Sequence, residues 1–291
     1  DVKGCTKSQI TKVNQPAPLT IQMGQFTPVS CHGVSDGTVT AGSVSGGNGT
    51  YTYSINAVDF QVSNKFSGLG AGSHTLTVKD AKGCTATQLI QVPEPDPLVL
   101  QPSDLSPVSC NGGNDGSITI KSVTGGNGGY RYSLNGSQFS TNKTYVGLAA
   151  GEYIVRVRDE KNCIVSETIS ITEPGELAMT PPSGTAVTCF GGDDGTITAG
   201  TVSGGVPPYQ YSIDNTTFQS NGNFIGVKAG RQSILVVDAN NCAFETPIVI
   251  DQPDQITASI KKTDVKCNGG SDGEIRITNI SGGSGDYEFS V

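Results

Sequence analysis

The residues best able to do chemistry in this chain are eight cysteines, at positions 5, 31, 84, 110, 163, 189, 242 and 267. A thiolate can attack a substrate, ligate a metal or close a disulfide. Nucleophilic work needs a base beside the sulfur, and the two histidines, His32 and His74, stand at non-equivalent places. No Cys-x-x-Cys pair occurs, so the usual zinc spacing is missing. No catalytic residue is assigned. Disulfide formation remains, and evenly spaced cysteines in a sparsely charged chain suit an oxidising, non-cytosolic compartment.

Acidic residues are the second chemical possibility. Asp36, Asp115, Asp193, Asp194 and Asp272 lie in oxygen-rich turns, and Glu94, Asp96, Glu173 and Glu176 crowd the short Pro-containing linkers. Calcium takes six to eight oxygens, so it is the one cofactor worth weighing. The plainer explanation is that Asp-Gly is favoured turn chemistry. Glycine runs such as Gly125-Gly126-Asn127-Gly128-Gly129 lack the lysine and following helix of a phosphate loop. Asn48, Asn135, Asn142 and Asn215 sit in Asn-x-Ser/Thr sequons or act simply as turn formers.

The elements that must position these residues are repeats. Cys5, Cys84, Cys163 and Cys242 are spaced by 79, as are Cys31, Cys110 and Cys189, with Cys267 following after 78. Pro16, Pro95, Pro174 and Pro253 keep the same step, and Asp-Gly and Gly-Gly pairs recur in phase. A period near 80 is too long for a solenoid turn and suits a small sandwich domain. Alternation with period two marks the strands. In residues 95–173, Tyr130, Tyr132 and Leu134 face one way, with Arg131 and Ser133 opposite; Tyr153, Val155 and Val157 face inward; Ile118, Ile120, Ile169 and Ile171 complete the face. With a short return strand at Phe139 the count is seven strands per unit. The fold class expected is all-β, with tandem immunoglobulin- or fibronectin-III-like β-sandwiches in an extended array. Gly147 to Tyr153 resembles a tyrosine corner; His74 and Gln232 hold the equivalent positions elsewhere, which argues against a general hydrogen bond there.

Prolines set the boundaries, because proline removes a donor and stops one strand from running into the next. The expected units are 1–16, the end of a preceding repeat; 17–94, 95–173 and 174–252, three Ig-like repeats; and 253–291, the first part of another. Such linkers predict a stiff rod growing by roughly 35–40 Å per repeat. The pattern opens and closes in mid-repeat, so any export signal or anchor is expected outside this segment.

Three cysteine pairings compete. Within a repeat, Cys31 would join Cys84, Cys110 would join Cys163 and Cys189 would join Cys242. Across a linker, Cys84 would join Cys110. Between neighbours, Cys31 would join Cys163 and Cys110 would join Cys242. Cys5 and Cys267 would find partners outside the segment. An odd number of strands between two cysteines sends them to opposite ends of a sandwich, beyond the ~7 Å Cα limit, which favours the staple between neighbours. If Phe139 lies in a loop, parity flips and the within-repeat pairing wins.

Composition excludes much else. A net charge of −8 argues against nucleic-acid partners. No apolar run approaches the ~20 residues that span a bilayer. The strings Val108 to Thr119, Gly125 to Ser133, Gly147 to Asp159 and Thr172-Glu173-Pro174 together resemble the SprB repeat family. Leu134 and Ile213 stand where many such repeats carry tryptophan. The resemblance implies a segment of a very large, filamentous, non-enzymatic adhesin at the outer-membrane surface of gliding Bacteroidetes-type bacteria. It also implies type IX secretion, the gliding and secretion machinery of the cell envelope as partner, and attachment to external surfaces or surface glycans. A passive stalk of another surface protein and a carbohydrate-binding module array are the alternatives.

Overall fold

The computed structural model describes residues 2–290; Asp1 and Val291, at the outer edges of the first and last partial repeats, lie outside the described residues. All regular structure among the described residues is strand. The chain divides into two compact units. One takes in the residues up to Asp104 with Thr119–Tyr145 and Glu152–Ile169; the other takes in Leu105–Ile118, Val146–Gly151 and everything from Ser170.

The first repeat holds β1 (Thr20–Ile21), β2 (Gln25–Thr27), β3 (Gly37–Thr40), β4 (Val44–Ser45), β5 (Tyr51–Ser54), β6 (Lys65–Leu69), β7 (Gly72–Asp80) and β8 (Thr85–Val92). One sheet has the order β2-β3-β6, the other β5-β7-β8, and β1 pairs with β4. The series recurs in the second repeat as β9 (Val99–Leu100), β10 (Asp104–Ser106), β11 (Gly116–Thr119), β12 (Val123–Thr124), β13 (Arg131–Leu134), β14 (Thr144–Leu148), β15 (Gly151–Arg158) and β16 (Ile164–Ile171). In the third repeat it is β17 (Ala178–Met179), β18 (Ser183–Thr185), β19 (Gly195–Thr198), β20 (Val202–Ser203), β21 (Gln210–Ser212), β22 (Asn223–Val227), β23 (Gly230–Val237) and β24 (Ala243–Ile250). A last pair, β25 (Asp254–Thr263) and β26 (Glu274–Gly283), forms a two-stranded antiparallel sheet.

The first and third repeats are each an immunoglobulin-like sandwich of two antiparallel sheets. The strand count corrects the expected seven to eight. The first and second strands each break in two, because β1 pairs with β4 while β2 pairs with β3 in a different sheet. The return strand expected at Phe139 shrinks to a single bridge, Tyr132↔Ser140, matched by Tyr53↔Gln61 and Tyr211↔Gln219.

Alternation does place the core. Leu76 and Val78, Val155 and Val157, and Ile234 and Val236 are all fully buried. In the first repeat Val29, Val39, Ala41, Leu76, Ile90 and Val92 form one cluster. In the third, Met179, Val187, Ile197, Phe224, Val227, Ile234 and Ile250 form another. The serine opposite each tyrosine departs from the expected outward face. Ser54, Ser133 and Ser212 are at most 1 % exposed, and each hydroxyl finds a local acceptor: Asn56 Oδ1, Ser137 O and Asp214 Oδ1 respectively. A buried hydroxyl needs such a bond.

Strand register decides where the cysteines lie. In the first repeat, Gly37↔Leu69 and Gly72↔Val92 mark one end of the sheets, beside Cys31. Lys79↔Thr85 and Tyr51↔Asp80 mark the other, and Cys84 sits in the turn there. The nine residues of β7 between those ends span about 27–30 Å. The third repeat repeats the arrangement, with Gly195↔Val227 and Gly230↔Ile250 at one end and Val237↔Ala243 at the other. The Phe139-type segment is a loop, yet parity does not flip. The chain climbs back along the tyrosine strand through its single bridge, and direction of travel, not strand count, fixes the ends.

Candidate functional site

Two kinds of turn carry the cysteines. The first kind, Ser30 to Gly33, Ser109 to Gly112 and Thr188 to Gly191, precedes β3, β11 and β19. A carboxylate closes each one. Ser30 N–H donates to Asp36 Oδ1 at 2.8 Å, Ser109 N–H to Asp115 Oδ1 at 2.9 Å and Thr188 N–H to Asp194 Oδ1 at 2.9 Å. The side chains and amides of Ser30, Ser109 and Thr188 hold these three carboxyls below their ordinary range. Lys266 N–H reaches Asp272 Oδ1 at 3.2 Å in the same way.

A second acceptor comes from the linker. Gly33 N–H donates to Glu94 Oε2 at 3.0 Å, Gly112 N–H to Glu173 Oε2 at 2.6 Å and Gly191 N–H to Gln252 Oε1 at 2.9 Å. Of the carboxylates weighed as calcium ligands, Asp36, Asp115, Asp194 and Asp272 each accept a backbone N–H of their own turn, and Glu94 and Glu173 accept one from the turn beside the linker. Among the described residues no group of three or more His, Cys, Asp or Glu side chains is arranged to hold a metal ion.

The second kind of turn reads Asp-x-x-x-Cys: Asp80 to Cys84, Asp159 to Cys163 and Asp238 to Cys242. Asp80 is 5 % exposed and accepts four bonds. Lys82 N–H and Cys84 N–H donate to Oδ1 at 2.9 and 2.8 Å, and the backbone and side-chain nitrogens of Asn48 donate to Oδ2 at 2.8 Å each. Burial opposes the charge on Asp80, but these bonds outweigh it and bring the carboxyl down to about 2. Asp159 has the same four partners in Asn127, Lys161 and Cys163, and is likewise lowered. The sequon nitrogen of Asn48 is therefore committed to Asp80, while Asn135 and Asn215 take positive φ as turn formers.

The Gly-Gly pair locks these turns to the start of the repeat. Gly125 has φ +73°, and a Cβ there would overlap the carbonyl oxygen of Pro97; Gly46 and Gly204 stand against Pro18 and Glu176 likewise. A tyrosine hydroxyl caps the first glycine each time: Tyr51 to Gly46 O, Tyr130 to Gly125 O, Tyr209 to Gly204 O and Tyr287 to Gly282 O, at 2.6–2.7 Å. The tyrosine-corner position is corrected too. His74 Nε2 donates to Gly70 O at 2.8 Å and Gln232 Nε2 to Lys228 O at 3.1 Å, so the bond to the carbonyl four residues back does not need tyrosine.

Disulfides join the two kinds of turn. Cys31 is bonded to Cys163, with Cα atoms 5.7 Å apart, and Cys110 to Cys242, with Cα atoms 5.6 Å apart. Each bond lies within one compact unit and links the first turn of one repeat to the second turn of the next. A polar contact accompanies each: Asn127 Nδ2 donates to Ser30 O and Asn240 Nδ2 to Ser109 O, both at 2.9 Å. Val206 stands where Asn127 does, so in the third repeat the donor comes from the neighbouring loop. Cys84, Cys189 and Cys267 are exposed and carry no disulfide among the described residues.

Asp80, Asp159 and Asp238 are the site residues that sequence reasoning missed. Their signal was present, since Asp precedes the second cysteine by four residues in every full repeat.

The SprB repeat family model matches residues 24–60, 103–139, 185–218 and 259–291. Among curated proteins no relative matches the chain. Among solved structures, the insect immune protein hemolin is 14 % identical over 62 % of this chain and 56 % of that one, with a TM-score of 0.25. This chain thus spans little more than half of the hemolin chain. The human desmocollin-1 ectodomain is 11 % identical over 78 % of this chain and 56 % of that one, with a TM-score of 0.25. A Bacteroides ovatus SGBP-B protein, solved with a mixed-linkage heptasaccharide, is 13 % identical over 90 % and 77 %, with a TM-score of 0.18.

Proposed function

We propose that this chain, which belongs to the SprB repeat family, is a structural and adhesive segment of a large filamentous adhesin at the surface of a gliding bacterium. The observation that carries the reading is the recurrence of the family's repeat at four places, on a fold in which lowered carboxylates such as Asp80 and Asp159 accept backbone amides in turns. The chain is read as non-enzymatic, since its recurring carboxylates hold backbone amides in turns. Disulfides between repeats suit an extracellular position. Among the described residues no helix is long and apolar enough to cross a membrane.

Outer-membrane association, export by the type IX system, movement by the gliding machinery, and external surfaces or surface glycans as targets belong to the same proposal. Antibody against these repeats, followed on moving cells, tests it. Label travelling along the cell supports the gliding role; label that stays fixed while cells move leaves a passive stalk.

One observation favours a second reading, glycan binding. The first repeat has an open trough of about 540 Å³ whose lining includes Met23, Gln25, Thr40, Tyr51, Tyr53 and Asn64, a mix of aromatic and amide groups. A glycan array probed with the purified chain separates the readings, and binding that survives Gln25→Ala would place any sugar elsewhere.

A further inference from the structure

The two disulfides cross. Along the chain their cysteines run Cys31, Cys110, Cys163, Cys242, and the bonds join first to third and second to fourth. Neither loop encloses the other. A pull applied outside Cys31 and Cys242 therefore crosses to Cys163, runs backwards along the chain to Cys110, and crosses again to Cys242. That covalent path contains 53 residue steps, where the peptide chain alone contains 211.

We propose that the chain is a tension-bearing element whose reach is capped by its crossed disulfides, with the segment from Cys110 to Cys163 carrying the load. The linkers at Pro93 to Pro95 and Thr172 to Pro174 lie off that shortest path and go slack when the chain is stretched. Both ends of the loaded segment are latched. Asp159 holds the amides of Lys161 and Cys163. At the other end Asp115 holds the amide of Ser109, and Glu173 holds that of Gly112. Force is thus delivered to hydrogen-bonded turns, not to free loops. This function needs only the connectivity and holds whatever surface the adhesin grips.

An unfolded residue extends by at most ~3.6 Å. Fully unfolded and oxidised, Cys31 and Cys242 can separate by about 190 Å; with either bond removed the shortest path is 79 residue steps and about 280 Å; reduced, it is about 760 Å. Single-molecule pulling of the whole chain, with handles at its two ends, reads these contour lengths. Because the reading is taken after unfolding, it does not depend on how stable a variant is. Reductant should lengthen the oxidised chain by about 570 Å, and Cys163→Ser or Cys242→Ser should each lengthen it by only about 95 Å. Equal lengths with and without reductant overturn the proposal. So does a gain of about 190 Å for a single variant, which is the signature of separate loops inside each repeat.

Discussion

Cys31 and Cys163 are 132 residues apart in the chain and 5.7 Å apart between their Cα atoms. Cys31 could not be bonded to Cys84, the other cysteine of its own repeat, without crossing a sandwich, since the two lie at opposite ends of the sheets. Mapping of unreduced peptides should recover a Cys31–Cys163 pair and a Cys110–Cys242 pair, and no Cys110–Cys163 pair. Closing a loop of this length restricts the unfolded chain by about 5 kcal/mol in the chain-entropy account. Cys163→Ser should therefore cost about 2–5 kcal/mol, read from urea unfolding under oxidising conditions.

Core positions should divide sharply by face. Leu76 is fully buried, whereas Leu89, on the partner strand of the same hairpin, is 70 % exposed. Leu76→Ala removes packed methyl groups and leaves a cavity, at a cost of about 2–5 kcal/mol. Leu89→Ala should shift stability by no more than about 0.5 kcal/mol. Similar losses for both would mean that the alternation does not define the core.

That alternation is the part of the fold most legible in the sequence. Tyr132, Val155 and Val157 announce a buried face because side-chain direction in a strand has period two, and the repeat spacing multiplies the signal. Ser133 was less legible. Alternation sends it outward, yet it is buried because a loop folds over that face and offers the Ser137 carbonyl. Asp159 was hidden for a different reason. Pattern reading treats an acidic residue in a turn as solvated, and only the three-dimensional convergence of Asn127, Lys161 and Cys163 on its oxygens shows otherwise. The split of the first strand into β9 and β10 was equally invisible, since both pieces are extended and only their partners differ.

Two glycines one turn apart should respond differently to the same change. Gly125 and Gly128 both have positive φ, near +75°, but a Cβ on Gly125 overlaps the Pro97 carbonyl while one on Gly128 meets open space. Gly128→Ala bears only the left-handed backbone penalty, about 1–2 kcal/mol. Gly125→Ala bears that penalty and must also push away the backbone at Asp96 and Pro97, so its loss should be clearly the larger. Thermal unfolding of the two variants side by side makes the comparison, and equal losses would remove the close approach as the reason for glycine at 125.

Acid should loosen the second kind of turn before it touches the apolar core. Asp80 has a folded value of about 2 against an ordinary 3.8, so the folded state favours its ionised form. A depressed carboxyl contributes stability that is complete above its unfolded value and is lost as pH falls through the folded one. The window is therefore between about pH 4 and pH 2. Asp159 is lowered by the same kind of bonds and adds to the same limb with the same sign. In Asp80→Asn the side chain keeps one acceptor oxygen, loses the other and does not titrate. The variant should be less stable than the parent at pH 6, and the difference should shrink as pH falls towards 2. Urea midpoints at pH 6, 4, 3 and 2 give the comparison. If the two curves ran parallel down to pH 2, the charge on Asp80 would have no part in holding the amides of Lys82 and Cys84, and the turn would owe its shape to glycine and chain direction alone.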